Sequence, residues 1–163
     1  MILNSRRAFL KTSFLTTAVI VMSAGKLFGA VYPLDTMVIA AEDLFAHAKK
    51  LEVDVRAYLL IILQHTRVTE EEKTSIRNGA QWLNEEAVAQ YKKTYTQLSA
   101  DKRQEILKIV SKEKWGENWI YALLSYVMEA TFSDKVYGVN KNENGQKWLE
   151  FVAGMPRPKE PLL

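Results

Sequence analysis

Beyond Pro33, apolar residues recur at the three-and-four spacing of a helix surface, and nowhere over a useful length at the period of two that marks a half-buried strand. The first such run covers about 34–50, with Met37, Val38, Ala41, Leu44, Phe45 and Ala48 on one stripe. The second, about 54–65, carries Tyr58, Leu59, Leu60, Ile61, Ile62 and Leu63 and is apolar nearly all round, which predicts the central buried helix. Thr69 opens a third, with Glu72 completing a capping box and Glu70 and Glu71 in the first turn, where negative charge meets the positive end of the helix. Its inward stripe is Ile76, Ala80, Leu83, Ala87 and Tyr91, and the pattern runs to about Thr94. Ser99 is a candidate cap for a fourth helix bearing Ile106, Leu107, Ile109 and Val110. Trp115 and Gly116 read as a turn before a last helix, about 117–132, holding Trp119, Leu123, Leu124, Val127 and Met128. Trp82, Trp115 and Trp119 are expected in the core or between helices.

The fold class is therefore all-α: an orthogonal or irregular bundle of about five helices after an N-terminal signal helix, with an irregular C-terminal loop and tail. No glycine falls between Ala30 and Asn78 and no proline between Pro33 and Pro156, so the usual breakers leave these helices intact. Residues 1–30 read as a signal peptide or anchor, 31–133 as the helical domain and 134–163 as a loop followed by a proline-containing tail.

The N-terminus has its own logic. Ser5, Arg6, Arg7, Phe9, Leu10 and Lys11 precede an apolar run from Phe14 to Ala24, the layout of a charged n-region and a short h-region. That run is too short to cross a hydrocarbon layer of ~30 Å comfortably as a helix. The arrangement resembles the twin-arginine signal S-R-R-x-F-L-K at every specified position, which implies export of an already folded cargo through the twin-arginine (Tat) translocon. Ser23-Ala24-Gly25 fits a small-x-small cleavage site, while continued apolarity through Leu27, Phe28 and Val31 leaves an uncleaved anchor open.

Charge and composition narrow the chemistry. The chain holds 22 Lys and Arg against 19 Asp and Glu, but Arg6, Arg7 and Lys11 belong to the leader, and without them the two signs are equal. A neutral body lacks the standing basic excess that nucleic-acid binding requires. Without cysteine there is no disulfide framework, thiolate metal site, iron–sulfur cluster or covalently attached haem in this chain. Its two histidines, His47 and His65, lack the Glu-x-x-His spacing of a di-iron bundle. Haem ligation by the pair is conceivable, but each falls in a last helical turn, where a cation meets the negative end of the dipole. No glycine-rich phosphate loop and no Ser/His/Asp arrangement stands out. No residue is assigned a catalytic, cofactor-binding or metal-binding role.

The segment after Ser133 is different in kind. From Asp134 to Trp148 it is dense in Gly and Asn, which tolerate positive φ, and it is bracketed by Tyr137 and Trp148. It reads either as an ordinary surface loop or as a structured binding loop with aromatic anchors; the second reading assigns partner binding to Tyr137, Gly138, Asn140, Lys141, Gly145 and Trp148.

This segment resembles the C-terminal signature of the gluconate 2-dehydrogenase small-subunit (subunit 3) family, roughly D-P-x-Y-G-G-N-x-x-x-x-G-W after a helical body. Asp134, Tyr137, Gly138, Asn140, Gly145 and Trp148 fill the pattern. Lys135 replaces the proline, Val139 the second glycine, and Gln146-Lys147 separate Gly145 from Trp148. The resemblance implies a non-catalytic small subunit, carrying no cofactor of its own, that supports export and stability of an FAD-dependent large subunit. Haem c would sit in a possible cytochrome c subunit. Localisation would be periplasmic, at the inner membrane through the complex or an uncleaved leader. The alternatives are a stand-alone exported helical binding or chaperone-like protein, which should lack a large exposed apolar patch, and a haem-binding protein.

Overall fold

The computed structural model describes residues 33–152 and 154–161. The expected signal helix and leader lie outside the described residues. The described residues form seven α-helices in order: α1 (Pro33–Leu44), α2 (His47–Lys50), α3 (Val55–Gln64), α4 (Glu70–Tyr91), α5 (Ala100–Val110), α6 (Lys114–Phe132) and α7 (Asn144–Trp148). Single 3-10 turns stand at Tyr95–Gln97 and Lys135–Tyr137, and no strand occurs among the described residues. The all-α expectation holds.

Helix α1 is the hub. Pro33 opens it, where a missing N–H costs nothing, and Asp35 lies in its first turn. Fully buried Ala40 and Ala41 let α3, α4, α5 and α6 all pack against this one helix. The second apolar run, α3, is not the central helix that its composition predicts. Only Val55, Leu59 and Ile62 are buried, a single face at i, i+4 and i+7, while Leu60 is 39% exposed. Ten residues at one side of α1 and α6 have partners for one face only.

The first helix is also shorter than its periodicity predicts. It stops at Leu44 and restarts at His47, turning Phe45 and His47 toward Trp148. Asp43, just before the break, is committed elsewhere. It accepts a two-pronged contact from Arg103 (Nε to Oδ2 at 2.6 Å, Nη2 to Oδ1 at 2.9 Å) and a hydrogen bond from the Tyr95 hydroxyl at 2.8 Å. Tyr95 is fully buried, and burial together with the Asp43 charge pushes its hydroxyl far above the ordinary tyrosine range. Asn84 extends this network, accepting from the Tyr95 amide at 2.9 Å and donating to fully buried Thr36 at 2.8 Å. One polar chain thus pins α1, α4 and α5 around the Tyr95 turn.

Helix α4 follows its pattern closely. Thr69 and Glu72 form the capping box, and Ile76, Ala80, Leu83 and Ala87 are buried. It ends at Tyr91, where Lys92 caps it in the left-handed region at φ 57°. Ser99 occupies the N-cap position of α5 but makes no side-chain capping bond. Trp115 and Gly116 lie inside the first turn of α6, not in a turn before it, because α5 and α6 meet closely there: a Cβ at Gly116 would stand 2.0 Å from the Val110 carbonyl oxygen. Trp119 is the true core tryptophan. It lies over Gly79, where a Cβ would fall 2.0 Å from its ring, and it donates from Nε1 to the Ile76 carbonyl at 2.9 Å. Trp82 is 41% exposed and meets Trp115 edge to face at 5.2 Å.

Candidate partner-docking site

The segment after Phe132 is built, not loose. Asp134 caps the Lys135–Tyr137 turn by accepting from the Val136 amide at 3.0 Å. Gly138 then reverses the chain at φ 73°, a left-handed conformation that glycine adopts without Cβ strain. The turn delivers Val139 and Asn140 into the protein, 0% and 2% exposed. Val139 packs its side chain inward and its carbonyl accepts from the Asp54 amide at 3.0 Å, tying the loop to the start of α3. Asn140 donates to the Ser133 carbonyl at 3.1 Å and accepts from the Gly145 amide at 3.4 Å, closing the loop on itself.

The second half docks as α7, a helical turn where the composition predicts only loop. A Cβ on Gly145 would lie 2.0 Å from the Thr131 carbonyl oxygen, so only glycine allows α7 to seat on the end of α6. Gln146 donates to the Phe132 carbonyl at 3.3 Å and Asn144 to the Leu51 carbonyl at 3.0 Å. The α7 turn carries Trp148 onto His47, the rings stacked at 5.0 Å, with Phe45 tilted against both. His47 therefore serves an aromatic cluster at the start of α2, not the end of α1. His65 is the C-cap of α3, its Nδ1 accepting from the Arg67 amide at 3.0 Å. Among the described residues no group of three or more His, Cys, Asp or Glu is placed to hold a metal ion, and no helix is long and apolar enough to cross a membrane.

The tail returns to the same loop. Arg157 reaches Asp134 Oδ2 from Nη1 at 2.5 Å and stands 2.7 Å from Glu143 Oε1, the latter an ion pair without hydrogen-bond alignment. This guanidinium, seconded by the Val136 amide, holds the Asp134 carboxyl below the usual carboxylate range; the Arg157 pKa is raised by the same contact. Between Trp148 and Arg157 the chain projects Leu149 (55% exposed), Phe151 (59%), Val152 (85%) and Met155 (82%) into solvent.

The six residues expected to meet a partner thus separate by position. Asn140 and Gly145 are buried and Gly138 makes the reversal, so these three shape the loop. Lys141 and Trp148 are exposed and Tyr137 half-buried, which leaves them available at the surface. Sequence reasoning missed Leu149, Phe151, Val152 and Met155; their signal was an apolar run inside an otherwise polar, proline-bearing tail.

No curated protein and no solved structure matches this chain. The family described as gluconate 2-dehydrogenase subunit 3 matches residues 34–154, from the first described helix to the residue before Met155. Most of the chain, including the built loop, falls within that match, and the chain belongs to the gluconate 2-dehydrogenase subunit 3 family.

Proposed function

We propose that this chain is a non-catalytic small subunit that pairs with an FAD-dependent, gluconate 2-dehydrogenase-like large subunit, escorts it through the twin-arginine route and stays bound to it in the periplasm. Family membership makes it a small subunit of a dehydrogenase complex, and that observation carries the reading. The export step is supported by Ser5, Arg6, Arg7, Phe9, Leu10 and Lys11, since a folded-cargo signal suits a chain that travels with a loaded flavoprotein. The substrate class would be a sugar, sugar acid or related alcohol oxidised on the large subunit, with electrons passing to a cytochrome c subunit where the complex has one. The stand-alone alternative expects a surface without a large apolar patch, and the exposed run from Trp148 to Met155 weighs against it.

Replacing Arg6 and Arg7 together with Lys tests the escort role. Flavin-containing dehydrogenase activity should stay in the cytoplasm along with this chain. Periplasmic activity at the unmodified level would defeat the proposal. Co-purification tests the pairing: a tagged full-length chain taken from its own host should bring down released flavin and dye-reducing dehydrogenase activity in fixed proportion.

A further inference from the structure

Large apolar side chains in water mark association surfaces when they cluster, and here they do. Five of the nine exposed large hydrophobics among the described residues, Trp148, Leu149, Phe151, Val152 and Met155, fall in the stretch 148–155. None of the five belongs to the core cluster, and of them only Trp148, through its stacking on His47 and Phe45, is used by the fold itself. The stretch is also tethered at both ends. Phe151 donates its amide to the Gln146 carbonyl at 2.9 Å, and Arg157 clasps Asp134 and Glu143 beyond it. Tethered ends reduce the ordering entropy that binding must overcome, which is the physical meaning of preorganisation.

We infer that the stretch from Trp148 to Met155, held between the seated α7 turn and the Arg157 clasp, is the element that docks into an apolar cleft of the flavoprotein large subunit. This rests on the proposed function for the identity of the occupant. The exposed charges near it are of both signs: Lys135, Lys141, Lys147, Lys159 and Lys50 stand with Glu150, Glu160, Glu52 and Asp54, while Asp134 and Glu143 are occupied by Arg157. The complementary surface is therefore defined by its apolarity, with the chain's Phe151, Val152 and Met155 as the inserted side chains. A lipid surface would also accept aromatic and basic residues. The protein occupant is favoured because the chain belongs to a family of complex subunits, and because Trp148 is already stacked on His47 and Phe45.

The test uses the full-length chain in its own host, with Phe151→Ser, Val152→Ser and Met155→Ser combined. All three side chains are exposed, so the thermal midpoint of the variant should match that of the parent. Its capture of flavin-containing dehydrogenase should weaken by roughly a hundred-fold or more, as expected on losing a cluster of interface anchors. Arg157→Gln, with the apolar residues intact, should weaken capture less, and a shift smaller than that of the triple variant supports the tether. Tyr121→Ser, on the 75% exposed position of α6, should capture as the parent does. Undiminished capture by the triple variant would overturn the inference while leaving the subunit reading standing. Failure of the unmodified chain to capture any flavoprotein would instead defeat the subunit reading. Loss of capture in Tyr121→Ser would move the interface to α6 and overturn the inference. So would flotation of the parent with anionic phospholipid vesicles that the triple variant loses while keeping the flavoprotein.

Discussion

Gly138 and Gly145 sit seven positions apart in one loop, yet alanine should affect them for different reasons and to different degrees. At Gly138 no heavy atom lies within 4 Å of where a Cβ would stand, so Gly138→Ala meets open space and loses only the ease of a φ of 73°. That is the left-handed penalty for an L-residue, about 1 kcal/mol. At Gly145 the φ is ordinary but the space is absent: the new Cβ would lie 2.0 Å from the Thr131 carbonyl oxygen and 2.8 Å from its carbon. The clashing atoms are helix backbone and cannot rotate away. Relief requires lifting α7 from α6, which stretches the Gly145–Asn140 and Gln146–Phe132 hydrogen bonds and unseats Trp148 from His47. Overpacking against rigid backbone of this kind costs about 3 kcal/mol. Urea unfolding of both variants, followed by far-ultraviolet circular dichroism, measures the two costs. Tryptophan fluorescence, read as the difference between each protein and the same protein carrying Trp148→Phe, isolates the Trp148 environment from that of Trp82, Trp115 and Trp119. Gly145→Ala should lower the midpoint well beyond Gly138→Ala and shift the emission. A Gly145→Ala protein as stable as the parent, or less affected than Gly138→Ala, would refute the argument that steric exclusion seats α7.

Other consequences follow from the core and the clasp. Trp119→Phe keeps most of the ring but removes the bond to the Ile76 carbonyl, so it should cost about 1 kcal/mol by the same urea assay. Asp43→Ala leaves the Arg103 guanidinium and Tyr95 hydroxyl without their common acceptor in a mostly buried setting, and a loss of about 3 kcal/mol is expected in chemical unfolding. The Asp134–Arg157 clasp carries a pH dependence whose sign is fixed by the lowered native pKa of Asp134. Its contribution is complete above the unfolded carboxyl value of about 4 and disappears as pH falls through the lower native value. The protection of the Val136 and Phe151 amides, taken relative to the intrinsic exchange rate at each pH, should therefore fall only on acidification below that point, and not between neutrality and mild acid.

What could be read in the sequence depended on how local the cause was. The α4 stripe and its Thr69–Glu72 cap were legible because both are settled within a few residues of chain. The break after Leu44 was not: Asp43 is drawn to Arg103 and Tyr95, more than fifty positions away, and Phe45 to Trp148 beyond α6. For the same reason α3 read as a core helix from its own composition. Its exposure is decided by how few neighbours the rest of the fold places around it, and no local pattern records that.

The loop shows what a motif can conceal. Its signature residues were visible, but not whether they face a partner or the protein's own interior. Geometry separates them and also accounts for the departures from the family pattern. Of the two adjacent positions where the family carries glycine, only Gly138 has positive φ; Val139 does not, and its side chain fills a buried space, so valine is admissible there. Lys135 begins a 3-10 turn whose cap Asp134 already supplies, leaving the proline's rigidity dispensable. Gln146 and Lys147 lengthen the approach to Trp148, and the added residues complete the α7 turn that sets its ring on His47. Each departure is absorbed where the backbone tolerates it, while Gly138, Asn140 and Gly145 stand where it does not. A loop so constrained is a scaffold, and its product is the placement of the apolar run that follows it.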